Sequence, residues 1–398
     1  MSGAASGRGR GAARSRGRYG LASRLRSGFR GRGRRWELES IVQDSGDRSE
    51  SDRLLRSLAT TGATVTARSR ASRLGLVLAG AALALAACGP DQSMLSPMGA
   101  NASRAAGLWW LMFWIGVVVW VLVTAATLYA LVRRRRDRHD PLTARRWENA
   151  PLVWGGIVLP SVVLVLLTGV SIDAMRHRDH PDASQATVVQ VIGHQWWWEV
   201  RYPERDVVTA NEVHVPAGRP VRLELTTADV IHSFWVPALA GKIDLVPGRS
   251  NTLSINTDRP GVYEGRCAEF CGLQHAKMRF RVVVEPESSF QDWLAAQGTS
   301  AAEPADDLAA RGRQVFLSAS CVYCHTIRGT AAVGSVGPDL THLASRDTLA
   351  AGIMPNTKGH LGGWIVDPQQ VKPGARMPSS DLPPDDLQAL LAYLGSLA

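Results

Sequence analysis

Cysteine is scarce in this 398-residue chain, and positive charge is scarce where a polyanion would need it. Five cysteines are too few for a disulfide-built scaffold. Their grouping says more than their number: Cys88 stands alone, Cys267 lies close to Cys271, and Cys321 close to Cys324. With histidines beside each pair, metal or cofactor chemistry is the stronger reading over two local disulfides. The formal charge of +10 suggests a nucleic-acid binder, but residues 1–73 alone hold 17 Arg, no Lys and 6 acids, a net of +11. Residues 181–398 hold 18 basic and 23 acidic residues, net −5. A nucleic-acid surface needs the opposite sign, so that partner is excluded.

Hydrophobic periodicity is missing from the first 70 residues, which are Arg, Ser, Gly and Ala and would not bury a core. The apolar run Leu74–Ala87 then follows Arg70 and Arg73 and is too short to span a bilayer comfortably. Charged flank, short apolar core and small residues read as a signal peptide. Its ending, Leu85-Ala86-Ala87-Cys88, resembles a bacterial lipobox with Cys88 as the lipidated residue. A leader this long places the expected start codon downstream of Met1. Residues 1–88 are therefore assigned to leader and signal.

Charge is absent from Leu108–Val132, and its 25 residues suffice for a membrane helix. Trp109, Trp110 and Trp114 suit one interface and Tyr129 the other. Residues 151–172 form a second span containing Gly155, Gly156 and Pro160, a proline tolerated where neighbours pack against it. The connecting loop, with Arg133 to Arg136, Arg138, Arg145 and Arg146, should be cytoplasmic. Residues 89–180 are thus a transmembrane hairpin in contact with membrane lipid, and everything after residue 173 is extracytoplasmic.

Short alternating runs mark strands at 187–192, 212–215, 221–225, 252–255 and 280–284. The turns Pro216-Ala217-Gly218, Val246-Pro247-Gly248 and Arg259-Pro260-Gly261 separate them. This is the pattern of a small antiparallel sandwich over residues 181–297. Residues 295–305 read as a linker. Residues 298–398 form a further domain, with a helix over 306–318, an irregular Gly/Pro-rich middle and a C-terminal helix opening at Pro383.

The stretch from Cys267 through Glu269, Cys271 and His275 to Met278 gathers five donor-bearing side chains in one loop. Thiolate, imidazole and thioether are the soft set that selects copper over magnesium or calcium. Zinc accepts two Cys and two His but has no use for a thioether. A mononuclear blue-copper site needs one Cys, whereas two thiolates can bridge two copper ions. Each copper then wants a terminal imidazole, and His232 in Asp229-Val230-Ile231-His232 supplies the second.

These motifs resemble subunit II of the haem-copper cytochrome c oxidases over roughly residues 100–290. Gly193-His194-Gln195-Trp196, Asp229 to Phe234, Lys242 to Gly248 and Cys267 to Met278 carry the resemblance. It implies a cupredoxin-like β-sandwich in which His232, Cys267, Cys271 and His275 ligate a dinuclear copper A centre. Met278 and the Glu269 main-chain carbonyl would be weaker ligands, and the Glu269 carboxylate would reach a Mg²⁺ where subunit I is met. Trp196 matches the position through which electrons arrive from cytochrome c, while Trp197 and Trp198 read as packing at the membrane-proximal face. Asp229 and Asp244 are docking residues, supports behind the ligands, or solvated charges. Many relatives carry a glutamate just before a Trp of the second span, tied to a proton channel. Here Leu152-Val153-Trp154 has no acid there, and the role is not carried onto Glu148 upstream.

Cys321-Val322-Tyr323-Cys324-His325 is the c-type haem attachment signature: two thiols bind the porphyrin and His325 ligates the iron. The sixth ligand should be Met or His, and Met354, Met377, His342 and His360 lie downstream. Met377, before Pro378, resembles the Met-Pro loop of small cytochromes c. This implies an all-α class I cytochrome c domain with haem c on Cys321, Cys324, His325 and Met377.

The architecture expected is multidomain: a transmembrane hairpin, a cupredoxin-like sandwich and a cytochrome c domain. By resemblance the chain is the electron-input subunit of a proton-pumping terminal oxidase in a bacterial inner membrane, both soluble domains periplasmic. Electrons would pass from cytochrome c through the fused haem and the copper pair to haem in subunit I, with subunit III also present. Alternatives are the electron-transfer subunit of a nitric oxide reductase-like complex, or a membrane-anchored copper or haem carrier. A nitrous oxide reductase would want more metal-binding histidines than the ten present.

Overall fold

The computed structural model describes residue 80 and residues 93–134, 150, 153–176 and 186–398. The Arg-rich leader, Cys88, most of the arginine-rich loop and Glu148 lie outside the described residues. The chain divides into Met1–Ala87 and Cys88–Ala398, and the second of these carries the membrane-length helices and both soluble domains.

Helix α1, Ala100–Arg134, and the segment Trp154–Arg176 are long and apolar enough to cross a membrane. Within α1 the Thr127 hydroxyl donates to the Val123 carbonyl at 2.7 Å, which satisfies it without solvent. Trp154–Val158 forms a π-turn in which the Leu159 N–H donates to the Trp154 carbonyl, and α2, Leu159–Arg176, continues from it. Pro160 explains the irregularity: it has no N–H to give, and its ring would strike the carbonyl four residues back in a regular helix.

Ten strands follow, in two five-stranded sheets. They are β1 (Thr187–His194), β2 (Trp197–Tyr202), β3 (Val207–Ala210), β4 (Glu212–Pro216), β5 (Val221–Thr227), β6 (His232–Trp235), β7 (Ile243–Leu245), β8 (Asn251–Ile255), β9 (Gly261–Cys267) and β10 (Arg279–Glu285). One sheet has the order β3-β2-β1-β5-β8 and the other β4-β10-β9-β6-β7. The turn signals suggest a purely antiparallel sandwich, but β1 pairs parallel with β5, and β4 parallel with β10. In each case the intervening strands cross to the other sheet or the far side of the same one, which hairpin turns alone do not announce.

Alternate residues of β5 and β10 are buried, as a period of two requires of strands with one face inward. Trp198 is fully buried between the sheets, edge-on to Phe234 at 5.7 Å and Phe280 at 5.1 Å. It is thus a core residue rather than packing at a membrane-proximal face; Trp197 instead stacks on His194 at 4.3 Å. Gly265 in β9 makes room for this cluster, since a Cβ there would lie 2.2 Å from the Phe280 ring.

Helix α3, Glu287–Gln297, occupies the first part of the expected linker. Phe290 and Leu294 on its inner face join the sandwich core. Beyond it, Asp306 caps α4, Asp307–Ser318, accepting from the Ala309 N–H at 2.7 Å. Helices α5 (Lys358–Val366) and α6 (Pro368–Val371) precede α7, Pro384–Gly395, which opens with proline and two aspartates in its first turn. α4 crosses α7 at Gly312, where a Cβ would meet the Ala389 carbonyl at 2.0 Å. Only glycine permits that approach.

Candidate redox centres

Cys267 ends β9, and the chain then runs through an irregular loop and a 3₁₀ turn at His275–Lys277 before β10. The Cys267 N–H donates to the Met278 carbonyl at 3.0 Å and closes the loop at its base. His232 opens β6, the neighbour of β9 in the sheet. These elements bring the soft donors together. The Cys267 and Cys271 sulfurs lie 3.8 Å apart. His232 Nδ1 is 3.9 Å from the first sulfur, and His275 Nδ1 is 3.7 Å from the second. Met278 Sδ lies 3.8 Å from Cys271 Sγ, and the Glu269 carbonyl oxygen lies 3.2 Å from Cys267 Sγ.

Metal–sulfur bonds of about 2.3 Å and metal–nitrogen bonds of about 2.0 Å, meeting at an open angle, span distances of this size. Sulfurs in the middle with one imidazole on each suit two ions rather than one. His232, Cys267, Cys271 and Met278 are all buried. The two thiols influence each other strongly. The hydrogen bond from Cys271 holds the Cys267 thiol down at about 3, and the resulting thiolate pushes Cys271 up. The pair thus favours a thiolate on Cys267 over one on Cys271, and a bound cation would favour ionisation of both.

Asp229 stands behind His232, its Oδ1 2.8 Å from Nε2, and its Oδ2 accepts the Gln195 N–H at 2.7 Å. Burial pushes its carboxyl up, but hydrogen bonds from His232 and the Gln195 and Val230 N–H groups outweigh this and hold it low. Burial likewise pushes His232 down, yet the Cys267 and Asp229 hydrogen bonds leave it raised. An acid that fixes the outer nitrogen of an imidazole turns the inner nitrogen toward a metal. Asp244 instead pairs with Lys242 at 2.9 Å, and Lys242 also reaches Glu269 at 3.7 Å.

Trp196 is half-buried over this loop, its indole Nε1 donating to the Cys271 carbonyl at 3.0 Å. Gln195 Nε2 donates to the same oxygen at 2.8 Å. Two glycines permit the arrangement. Gly272 adopts φ +113° under the Trp196 ring, and a Cβ at Gly193 would lie 2.9 Å from His232 Cδ2.

In the helical domain Cys321 and Cys324 carry free thiols at either end of one 3₁₀ turn. His325 Nδ1 lies 2.7 Å from the Pro338 carbonyl, which leaves Nε2 as the free ligating atom, and burial keeps the imidazole neutral. A Cβ at Gly337 would sit 2.6 Å from His325 Cε1, so this face of the ring is reserved for backbone. Tyr323, Val333 and Val336 are exposed apolar side chains around the motif, surface that a porphyrin would cover. This donor set fits a covalent haem.

Met354 and Met377 both pack on the core of this domain. The Gln369 side chain, which no motif singles out, pins the Met377 loop: it donates to the Ala375 carbonyl at 2.9 Å and the Met377 carbonyl at 3.2 Å. His342 is used elsewhere, its ring nitrogens facing the Ala398 and Thr299 carbonyls at 2.8 and 3.1 Å.

Fold and site together define the class: a protein with two membrane-length helices, a cupredoxin-like sandwich and a cytochrome c domain. Residues 204–286 match the family model of the cytochrome c oxidase subunit II periplasmic domain, and residues 309–398 that of cytochrome c. The cytochrome c oxidase subunit 2 of Alkalihalophilus pseudofirmus is 37% identical over 270 residues, covering 66% of this chain and 78% of the relative. That of Bacillus subtilis is 31% identical over 348 residues, covering 82% and 97%. The chain belongs to the cytochrome c oxidase subunit II family. Its two soluble domains imply copper A and haem c as cofactors, and subunit I of the oxidase as a partner.

Proposed function

We propose that this chain is the electron-input subunit of a proton-pumping terminal oxidase, relaying electrons from haem c through dinuclear copper A to haem in subunit I for the reduction of oxygen to water. The observation that carries this reading is the pair of sulfurs 3.8 Å apart with one imidazole beside each. In it, His232, Cys267, Cys271 and His275 hold the copper pair, with Met278 and the Glu269 carbonyl as weaker donors. Bound there, copper supplies one-electron redox chemistry, and burial of the donors keeps water and rearrangement out of the step. Asp229 orients His232, and Trp196 covers the loop and joins it by hydrogen bond to the rest of the path. Cys321, Cys324, His325 and Met377 would hold the haem. Thioether ligation raises a haem's potential relative to two histidines, which suits a donor.

The remaining assignments depend on this reading. The chain sits in a bacterial inner membrane with both soluble domains periplasmic, partnered by subunits I and III, and a soluble or membrane cytochrome c feeds the haem. The exposed Glu269 carboxylate, which Lys242 reaches at 3.7 Å, would take Mg²⁺ where subunit I is met. Cys88 carries the lipid of a mature N-terminus. A copper or haem carrier would want labile, exposed donors, whereas His232, Cys267, Cys271 and Met278 are buried.

The test is an EPR and visible spectrum of the full chain, produced with haem attachment and loaded with copper. A seven-line mixed-valence copper signal together with a c-type haem band is expected. A mononuclear or absent copper signal in a haem-bearing sample would sink the dinuclear assignment. Mass spectrometry of the mature N-terminus should find residue 88 acylated.

A further inference from the structure

The loop that carries Met377 lies against the loop that carries the copper donors. Lys277 Nζ donates to the Val371 carbonyl at 2.5 Å, Gln274 Nε2 donates to the Pro373 carbonyl, and Arg376 donates to Gln195 Oε1 at 2.8 Å. The centre of this seam is Lys372, only 4% exposed. Its ammonium donates to the Trp196 carbonyl of the sandwich at 2.9 Å and to the Ala350 carbonyl of the helical domain at 3.2 Å. A buried ammonium is costly unless it is hydrogen-bonded, and here both partners are main-chain oxygens, one from each domain.

The Ala350 side of the bridge is unusual in itself. Ala350, Ala351 and Gly352 all adopt left-handed backbone, at φ +53°, +60° and +75°. Two consecutive alanines in that region are strained and persist only where their surroundings fix them. The fixing contacts come from the seam. The Ala351 carbonyl accepts the N–H of Arg279, the residue after Met278, at 3.1 Å. Gly352 lies against Arg279 Cβ, where an added Cβ would approach to 3.0 Å. Lys372 takes the Ala350 carbonyl. One strained turn and one buried cation thus clasp the backbone at Trp196 and at the end of the copper loop.

We propose that Lys372 is a positioning residue for electron transfer from the haem domain to the copper site, holding the Met377 loop in register with Trp196 and residues 271–279. The inference rests on the relay reading above. The step it serves moves one electron from the haem iron, which is oxidised, to the copper pair, which is reduced, with no bond made or broken. Lys372 touches neither centre; it sets the distance between them.

The experiment uses the full chain in detergent, haem attached and copper loaded, with the haem photoreduced and its reoxidation followed against the copper band. Lys372→Met should slow internal transfer about tenfold or more, the size expected from losing charged hydrogen bonds at the seam. Lys372→Arg should restore most of the rate. Haem bands and copper EPR should stay unchanged in both variants. Hydrogen exchange gives a second readout that holds for the metal-free chain too: amides of residues 193–199 and 350–356 should exchange about tenfold faster in Lys372→Met. An unchanged transfer rate overturns the proposal, and so does a slowed rate with unchanged exchange. Should Lys372→Met fail to assemble, Lys372→Gln, which keeps a donor without the charge, is read by the same criteria. A wild-type chain without the copper or haem signal would instead overturn the relay reading, which the exchange data do not depend on.

Discussion

In the sandwich, His232, Cys267, Cys271 and Met278 are buried and already face one another. In the helical domain, Cys321 and Cys324 are only partly buried, and Tyr323, Val333 and Val336 stand in the open. The sandwich has a complete core of two sheets, so its donor loop is held by protein alone. The helical domain is built from a few short helices and long irregular connections; Ile327 and Ala332 join its core, but Tyr323, Val333 and Val336 near the attachment motif stay outside it. The donors of the first site are gathered by protein packing, whereas the second presents apolar surface that a haem would cover.

The largest effect expected from this difference is on removing the haem. Cys321→Ser with Cys324→Ser should abolish the cooperative unfolding of residues 306–398, leave the copper EPR signal intact, and so uncouple the two domains in denaturant titrations. Equal loss of both transitions would break the comparison. Next is the sandwich core. Trp198→Ala should cost about 3–5 kcal/mol in the unfolding transition of the sandwich and disturb the copper signal, because its ring packs edge-on to His232 at 5.9 Å. Asp229→Asn should leave the fold in place but weaken copper binding about 10- to 100-fold in competition with a chelator. Copper affinity unchanged by that substitution would show that the loop alone orients His232.

The most gradual is a slope with pH, and it belongs to the seam between the two regions. Burial pushes Lys372 down to about 7, with the nearby Lys277 charge adding to the effect, from an ordinary 10.5. Between these values the folded chain holds fewer protons than the unfolded one, so stability should rise with pH across that window. The slope is at most about 1.4 kcal/mol per pH unit, and the contribution is level below and above the window. Lys372→Met should flatten that part of the profile in chemical denaturation at stepped pH.

The copper loop was legible because its donors are neighbours in the chain, five of them between residues 267 and 278. His232 was legible from its company, and the haem motif from its spacing. The Asp229 contact was legible only as one of three readings, since it takes the turn at 229–232 to fold the acid back on the imidazole. β2, β3, β6, β7 and β9 escaped notice, and in β2 and β9 the reason is visible. Tryptophans and charges break the alternation in one, and Gly261, Gly265 and Arg266 break it in the other, so tertiary packing rather than local pattern makes them strands. Parallel pairing of β1 with β5 also leaves no local trace. Lys372 reads in the sequence as one more surface lysine, and its burial depends on Trp196, 176 residues away.

Helix α1 is stitched to the sandwich at its first turn. The Met98 and Gly99 N–H groups donate to the Ala238 carbonyl and the Ala100 N–H to the Asn256 carbonyl. Thr257 Oγ1 closes on the Met98 carbonyl, and the close approach of Gly99 to the Leu239 carbonyl leaves no room for a side chain. At this joint the membrane helix works as a stem rather than a tether. These contacts fix the direction in which α1 leaves the sandwich, so the helix axis and the donor loop share one frame.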